Sequence, residues 1–330
     1  MRIGLIPSLL TLPVVLACAG VGAEPLPAPG PTPAPRAAPR PAPGADTPPP
    51  PPRAAPARGD IEPLPTAERC VDKGVYEVRH EGDRVPSVLV VEGKPGPRTL
   101  VVALHGGSGD ARKILSQTRW HSKAKVEGAV AVLAPHAAEM AGHGPHWNTG
   151  KFDTVVGPDA GRDDIAYLDG LVARVKKATC AERVLGVGFS NGGQMVHRWA
   201  CQGRSLDAVI SSAGTLLVDP STCRGPVPLR SYVGDEDRVY DSSPLEGAGQ
   251  PPVPESAALW AEINGCSLDA PEVQRDAVRT CTRWTGCTAP TELCVIHGMP
   301  HAWPAPWAGK KASRVDATTE GWAWFEGLPR

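Results

Sequence analysis

The residues best equipped for covalent chemistry are Gly188-Phe189-Ser190-Asn191-Gly192. A bare G-x-S-x-G string is weak, because a chain with 36 glycines would show on the order of 0.2 matches by chance. Its surroundings make it specific. The apolar run Val184-Leu185-Gly186-Val187 leads straight into it, and a helical segment, Gln194 to Cys201, leads straight out. A strand, a sharp turn and a helix in that order lift a serine hydroxyl above a sheet edge, where it can attack a carbonyl carbon. Glycines at 188, 192 and 193 leave room for the turn.

A serine hydroxyl of ordinary acidity is a poor nucleophile, so this chemistry requires a histidine base and a carboxylate to orient it. The expected chain order is serine, acid, histidine. Three histidines follow Ser190. His197 falls in the helix leaving the serine, where a base would not easily face it, and His297 ends an apolar strand. His301 is the better base, in a loop from Gly298 to Pro304 whose prolines restrict the backbone beyond the strand end. For the acid, Ser231-Tyr232-Val233-Gly234-Asp235-Glu236-Asp237 reads as a strand passing into a carboxylate-rich loop. Asp237 is preferred and Asp235 is the reserve, since spacing alone does not separate them. The strand Leu100 to Leu104 ends in His105-Gly106-Gly107-Ser108-Gly109, and the backbone N–H groups of Gly107 and Asn191 are the expected oxyanion donors. A phosphate cradle would need a second Gly-x-Gly-x-x-Gly or Gly-Lys-Ser element, which is missing. The chemistry requires no cofactor.

These groups need a scaffold. Apolar, β-branched runs at Val85 to Val91, Thr99 to Leu104, Ala129 to Ala134, Arg183 to Phe189, Ala208 to Ser212, Leu229 to Val233 and Glu292 to Ile296 predict strands. Between them, Asp163 to Lys177 places Ile165, Leu168, Leu171, Val172 and Val175 on one helical face, with acids at its start and lysines at its end. Strands alternating with helices predict a mostly parallel sheet covered by helices.

The series Leu104-His105-Gly106-Gly107, Trp147, Asp163-Asp164-Ile165, Gly188 to Met195, Gly234 to Asp237 and His301-Ala302-Trp303-Pro304 resembles the secreted polyhydroxybutyrate depolymerase and feruloyl esterase group of α/β-hydrolases. The match spans nearly all of 70–304. It implies an α/β-hydrolase fold, with Ser190 as nucleophile, Asp237 as orienting acid, His301 as base, and Gly107 with Asn191 as oxyanion donors. Two departures stand out: many relatives carry cysteine at the place of Gly107, and a His-Gly-Thr-x-Asp sequence at the place of Val233 to Asp237. The resemblance also suggests a Cys266–Cys287 disulfide, after which Cys281 and Cys294 would cross-link a hairpin.

Nine cysteines become eight once Cys18 is set aside, an even number that favours disulfides in an exported chain, with 105 conceivable pairings. Zinc is the weaker reading. Cys281, Cys287 and Cys294 lack a C-x-x-C pair, and His143-x-x-His146 has no accompanying glutamate in an H-E-x-x-H helix, so no metal site is expected. Trp147 and Trp303 are candidates for a substrate-stacking wall beside the histidine loop, ahead of Trp307. Trp322, Trp324 and Phe325 read as the buried face of a terminal helix.

The chain has 330 residues, 41% of them hydrophobic, with 34 basic against 35 acidic side chains. That balance argues against a disordered chain and against a nucleic-acid binder. Seventeen of the 38 prolines lie between residues 24 and 66. Residues 1–23, with Arg2 before an apolar run and small residues at the end, read as a signal peptide. Val15-Leu16-Ala17-Cys18 is also an imperfect lipoprotein signal, so membrane attachment is expected only through a lipid on Cys18. Residues 24–66 read as a proline-rich linker, in extended polyproline II or as a solvated tail, and 67–330 as one catalytic domain. The expected function is hydrolysis of carboxylic esters by an exported protein, hydroxyalkanoate oligomers or polymer first and feruloyl or acetyl esters of polysaccharide second. A cell-envelope binding protein that keeps the fold without turnover is the alternative from another class. Oligomeric state is left open.

Overall fold

The computed structural model describes residues 61–65, 70–80, 85–140, 142–150, 162–241 and 251–329. The expected signal peptide, with Cys18, and the stretch expected to be linker up to residue 60 lie outside the described residues.

Apolar β-branched runs become the inner strands. In chain order the elements are β1 (Ile61–Pro63), β2 (Gly74–Val78), β3 (Ser87–Val91), β4 (Arg98–Leu104), α1 (Ala111–Thr118), α2 (Trp120–Glu127), β5 (Val130–Ala134), β6 (Ala138–Met140), β7 (Gly144–His146), α3 (Asp164–Thr179), β8 (Ala181–Phe189), α4 (Asn191–Gln202), β9 (Ala208–Ser212), β10 (Leu229–Gly234), α5 (Val253–Ile263), β11 (Ser267–Arg275), β12 (Arg279–Thr285), β13 (Thr291–Ile296) and α6 (Ala317–Glu326). Among the described residues eleven strands form one sheet in the order β1-β2-β3-β5-β4-β8-β9-β10-β13-β12-β11. The middle of it, β5-β4-β8-β9-β10-β13, is parallel throughout. Antiparallel pairs flank it on both sides, while β6 and β7 form a separate hairpin. The expected mostly parallel sheet and the α/β-hydrolase architecture are both present.

Alternation along each strand divides the core between the two sheet faces. Leu100, Val102 and Leu104 of β4 point to the face covered by α3, α4 and α5, where they join Leu168, Leu171, Trp199 and Trp260. Val101 and Ala103 point to the other face, with Ile114 of α1, Trp120 of α2 and Trp322 and Phe325 of α6. Helix α3 starts where its acids predict: the Asp163 carboxylate accepts the N–H groups of Ile165 at 2.9 Å and Ala166 at 3.3 Å. No helix among the described residues is long and apolar enough to cross a membrane.

The linker boundary is corrected at its C-terminal end. Residues 61–63 pair in parallel with β2, and Leu64 is 5% exposed in the core, so the folded domain already includes residues 61–65. Pro63 and Pro65 are compatible with this because an edge strand does not need every N–H.

Four disulfides are formed, Cys70–Cys180, Cys201–Cys223, Cys266–Cys287 and Cys281–Cys294. The last joins directly paired residues of β12 and β13, the expected hairpin cross-link.

Candidate active site

Ser190 occupies the turn between β8 and α4 with φ 56° and ψ −122°, a left-sided backbone conformation that a non-glycine residue adopts only when its surroundings impose it. Here the Ser190 N–H donates to the Ser212 carbonyl of β9 at 2.9 Å, and the Ser190 carbonyl accepts the Gln194 N–H of α4 at 2.9 Å. The turn closes so tightly that a Cβ on Gly188 would collide with the Gly192 carbonyl.

The structure brings Ser190, His301 and Asp237 together. His301 Nε2 lies 3.0 Å from Ser190 Oγ, and His301 Nδ1 lies 2.7 Å from Asp237 Oδ2. Asp237 is 3% exposed, and its other oxygen accepts the Val239 N–H at 3.1 Å. The histidine loop is laced to the end of β10: Asp235 N–H donates to Ile296 O at 3.1 Å and Glu236 N–H to Met299 O at 3.2 Å. Asp235, the reserve acid, instead accepts the Gly298 N–H at 2.7 Å. His197 is buried in α4 beside Trp260, and His297 meets Thr280 Oγ1 at 3.0 Å on the far strands, so neither competes as the base.

The loop from Gly106 to Gly109, the expected source of oxyanion donors, is held by a histidine to which the sequence assigns no role. His105 Nε2 accepts the Ala137 N–H at 3.2 Å, which leaves the proton on Nδ1 to donate to the Gly106 carbonyl at 2.8 Å. Burial lowers the His105 pKa to about 4, so it stays neutral in this tautomer. The Gly106 carbonyl also accepts the Gly109 N–H at 3.0 Å. With that carbonyl anchored, the N–H of the following trans peptide, that of Gly107, points the opposite way. The Asn191 N–H is the first of α4, where helix geometry leaves it without an intrahelical acceptor. Gly107 has a local reason to lack a side chain: a Cβ there would land on His146 Nε2.

Ser190, His301, Gly106 and Gly107 open onto a cleft of about 500 Å³. Its apolar wall is Phe189, Ala302, Trp303 and Trp307, and its polar side comes from α1 through Lys113, Ser116 and Gln117. Trp307 is half-buried, with its indole N–H donating to Gln117 O at 2.9 Å and the Arg119 guanidinium 4.3 Å above its ring. Trp303 lies on the wall but is only 2% exposed, its N–H donating to Thr318 Oγ1 at 3.1 Å.

Trp147 is a correction. It is 1% exposed and is not on the cleft wall, because its indole N–H donates to the His105 carbonyl at 3.0 Å and its peptide groups are gripped by the Asn191 side chain. It braces the loop that begins at His105. The next residue is held as well: Asp164 accepts the Asn148 N–H at 2.7 Å and the Arg162 guanidinium at 2.8 Å. Burial raises the pKa of that carboxyl, against the pull of Arg162.

No family model matches the chain. Over 253 residues it is 27% identical to a protein of Nocardia uniformis subsp. tsuyamanensis named "Putative esterase NocK", a match covering 68% of this chain and 71% of that protein. Among solved structures it is similar to the acetyl xylan esterase from Aspergillus awamori, with a TM-score of 0.55 at 16% identity over 72% of this chain and 97% of that one. The structural likeness establishes the fold. Together, the α/β-hydrolase fold and the constellation built on it define a carboxylic ester hydrolase.

Proposed function

We propose that Ser190, His301 and Asp237 are the catalytic triad of an exported esterase acting on hydroxyalkanoate oligomers or polymer. The observation that carries this reading is the continuous hydrogen-bonded chain from Ser190 Oγ through the His301 ring to Asp237 Oδ2, with distances of 3.0 and 2.7 Å. His301 Nε2 takes the Ser190 proton as Oγ attacks the ester carbonyl carbon, and the carbonyl electron pair moves onto oxygen. The N–H groups of Gly107 and Asn191 hold that oxyanion. Collapse breaks the bond to the alkoxy group, which leaves as the alcohol with the proton from His301. Water then gives a proton to His301 and attacks the acyl carbon, releasing the acid and restoring Ser190. Asp237 keeps the proton of the neutral imidazole on Nδ1 and stabilises the imidazolium.

The signal-type N-terminus and the four disulfides support export. The hydroxyalkanoate assignment is supported by the Ser-Asn-Gly-Gly turn and the His-x-Trp-Pro loop shared with the depolymerase group. A second reading, a feruloyl or acetyl esterase of polysaccharide, is favoured by one observation: the half-buried Trp307 ring on the cleft wall offers a surface for an aromatic acyl group. A non-catalytic envelope protein has no use for an intact triad at a strained serine.

A panel of hydroxybutyrate oligomers, methyl ferulate and acetylated xylan, run on the wild-type chain and on Ser190→Ala, tests the reading. Release of hydroxybutyrate that Ser190→Ala abolishes is the expected result. Turnover of methyl ferulate alone would move the assignment to the second reading, and no serine-dependent turnover of any ester would overturn both.

A further inference from the structure

We infer that the cleft selects esters carrying a carboxylate, such as a hydroxyalkanoate oligomer with a free acid end, and that Lys113 and Lys311 bind that carboxylate. The inference rests on the serine-esterase reading and adds the charge of the substrate to it.

Two exposed ammonium groups line the cleft, and among the described residues no aspartate or glutamate lines it. Lys113 shares one face of α1 with Ser116 and Gln117, three and four residues on, so all three are presented to the same space. Lys311 approaches from the opposite side, its ammonium donating to the His301 carbonyl at 3.1 Å, which fixes a positive charge at the lip beside the base. Neither lysine takes part in any ion pair among the described residues. The carboxylate nearest in sequence, Asp110, is turned back to cap α1 by accepting the Lys113 backbone N–H at 2.8 Å.

This local excess is not the by-product of a basic protein, because the whole chain carries 34 basic and 35 acidic side chains. Lining the same cleft, the buried Phe189 and Trp303 and the half-buried Trp307 supply an apolar floor for an alkyl chain. With the ester carbonyl at Ser190, an alkoxy unit lying on that floor would bring the terminal carboxylate of the oligomer out to the cations. Exposed ammonium groups remain solvated and screened, so the expected gain is modest and sensitive to salt.

The test compares 3-(butyryloxy)butanoate with its methyl ester, both followed by release of butyrate, which differ at the remote end by the charge and one methyl group. At low salt the wild-type chain is expected to favour the acid by about fivefold in kcat/KM, equivalent to about 1 kcal/mol, with the ratio falling toward one at about 0.5 M salt. Lys113→Glu should push the ratio below one, and Lys311→Met should reduce it. Because Lys311 also touches the His301 loop, the ratio is taken within each variant, which cancels any common loss of turnover. Turnover of the methyl ester with a ratio near one in the wild-type chain, or a preference that Lys113→Glu leaves unchanged, would overturn the inference and leave the esterase reading standing. If neither ester is turned over, the esterase reading itself fails and the inference falls with it.

Discussion

The Asn191 side chain grips Trp147 through both of its peptide groups, accepting the Trp147 N–H at 2.8 Å and donating to the Trp147 carbonyl at 3.2 Å. In the proposed mechanism the residue after the serine thus serves twice, its own N–H holding the oxyanion while its side chain locks the indole that braces the opposite loop. Asn191→Ala keeps the backbone N–H but strands two buried peptide groups. It should lower stability by about 1–3 kcal/mol and reduce kcat, measured by thermal unfolding and turnover of one soluble ester. A normal Tm with normal kcat would show that the clasp is dispensable.

Gly107→Ala tests the oxyanion loop from the other side. The new methyl group must displace either His146 or the loop, and movement of the Gly107 N–H should cost kcat about 10²- to 10³-fold with little change in KM. Combining it with His146→Ala removes the obstruction and should restore most of the rate. If the double variant is as slow as the single one, the contact with His146 is not the reason for glycine here.

Two buried histidines make stability depend on pH. Burial holds His105 at about 4 and His197 at about 3, below the value near 6.5 of the unfolded chain. The unfolded state therefore takes up protons first as pH falls. The contribution of these groups is whole above about pH 6.5 and drains away as pH falls toward about 4 for His105 and about 3 for His197. Thermal unfolding followed down this range should show a falling Tm, with a shallower slope in His197→Leu. An identical slope in that variant would exclude His197 as a source.

The disulfides differ in the loops they close. Cys70–Cys180 spans 110 residues and Cys281–Cys294 spans 13. In the chain-entropy account, removing the first pair by double serine substitution should cost about 2 kcal/mol more than removing the second. Denaturant unfolding of the two variants measures the difference, and equal losses would mean that native contacts rather than loop closure set the contribution.

The serine turn is legible in the sequence because strand, turn and helix are contiguous there, and the inner strands are legible because both of their faces are buried. Legibility fails where a partner lies far along the chain. Trp147 and Trp303 look alike on paper, yet Asn191 and His105 bury the first while the second edges the cleft. Trp307 becomes a wall because Gln117, 190 residues away, receives its N–H. Strand β11 escapes pattern reading because nearly every residue of it is exposed and Pro271 lies within an irregular stretch of its pairing. The short β1 escapes because prolines dominate its surroundings.

Asp235 and Asp237 provide the sharpest test of the mechanism, because the structure gives each a different duty. Asp237 meets His301 Nδ1 at 2.7 Å, whereas Asp235 accepts the Gly298 N–H at 2.7 Å, three residues before the base. Asp237→Asn should slow acylation by about 10⁴, since an amide that donates to the imidazole favours the wrong tautomer. Asp235→Asn keeps a carbonyl oxygen for the Gly298 N–H and should change the rate by less than about threefold. Kinetics of both variants on one soluble ester decide the matter. A large loss at 235 with little change at 237 would reverse the two duties, and small losses at both would remove this loop from the mechanism.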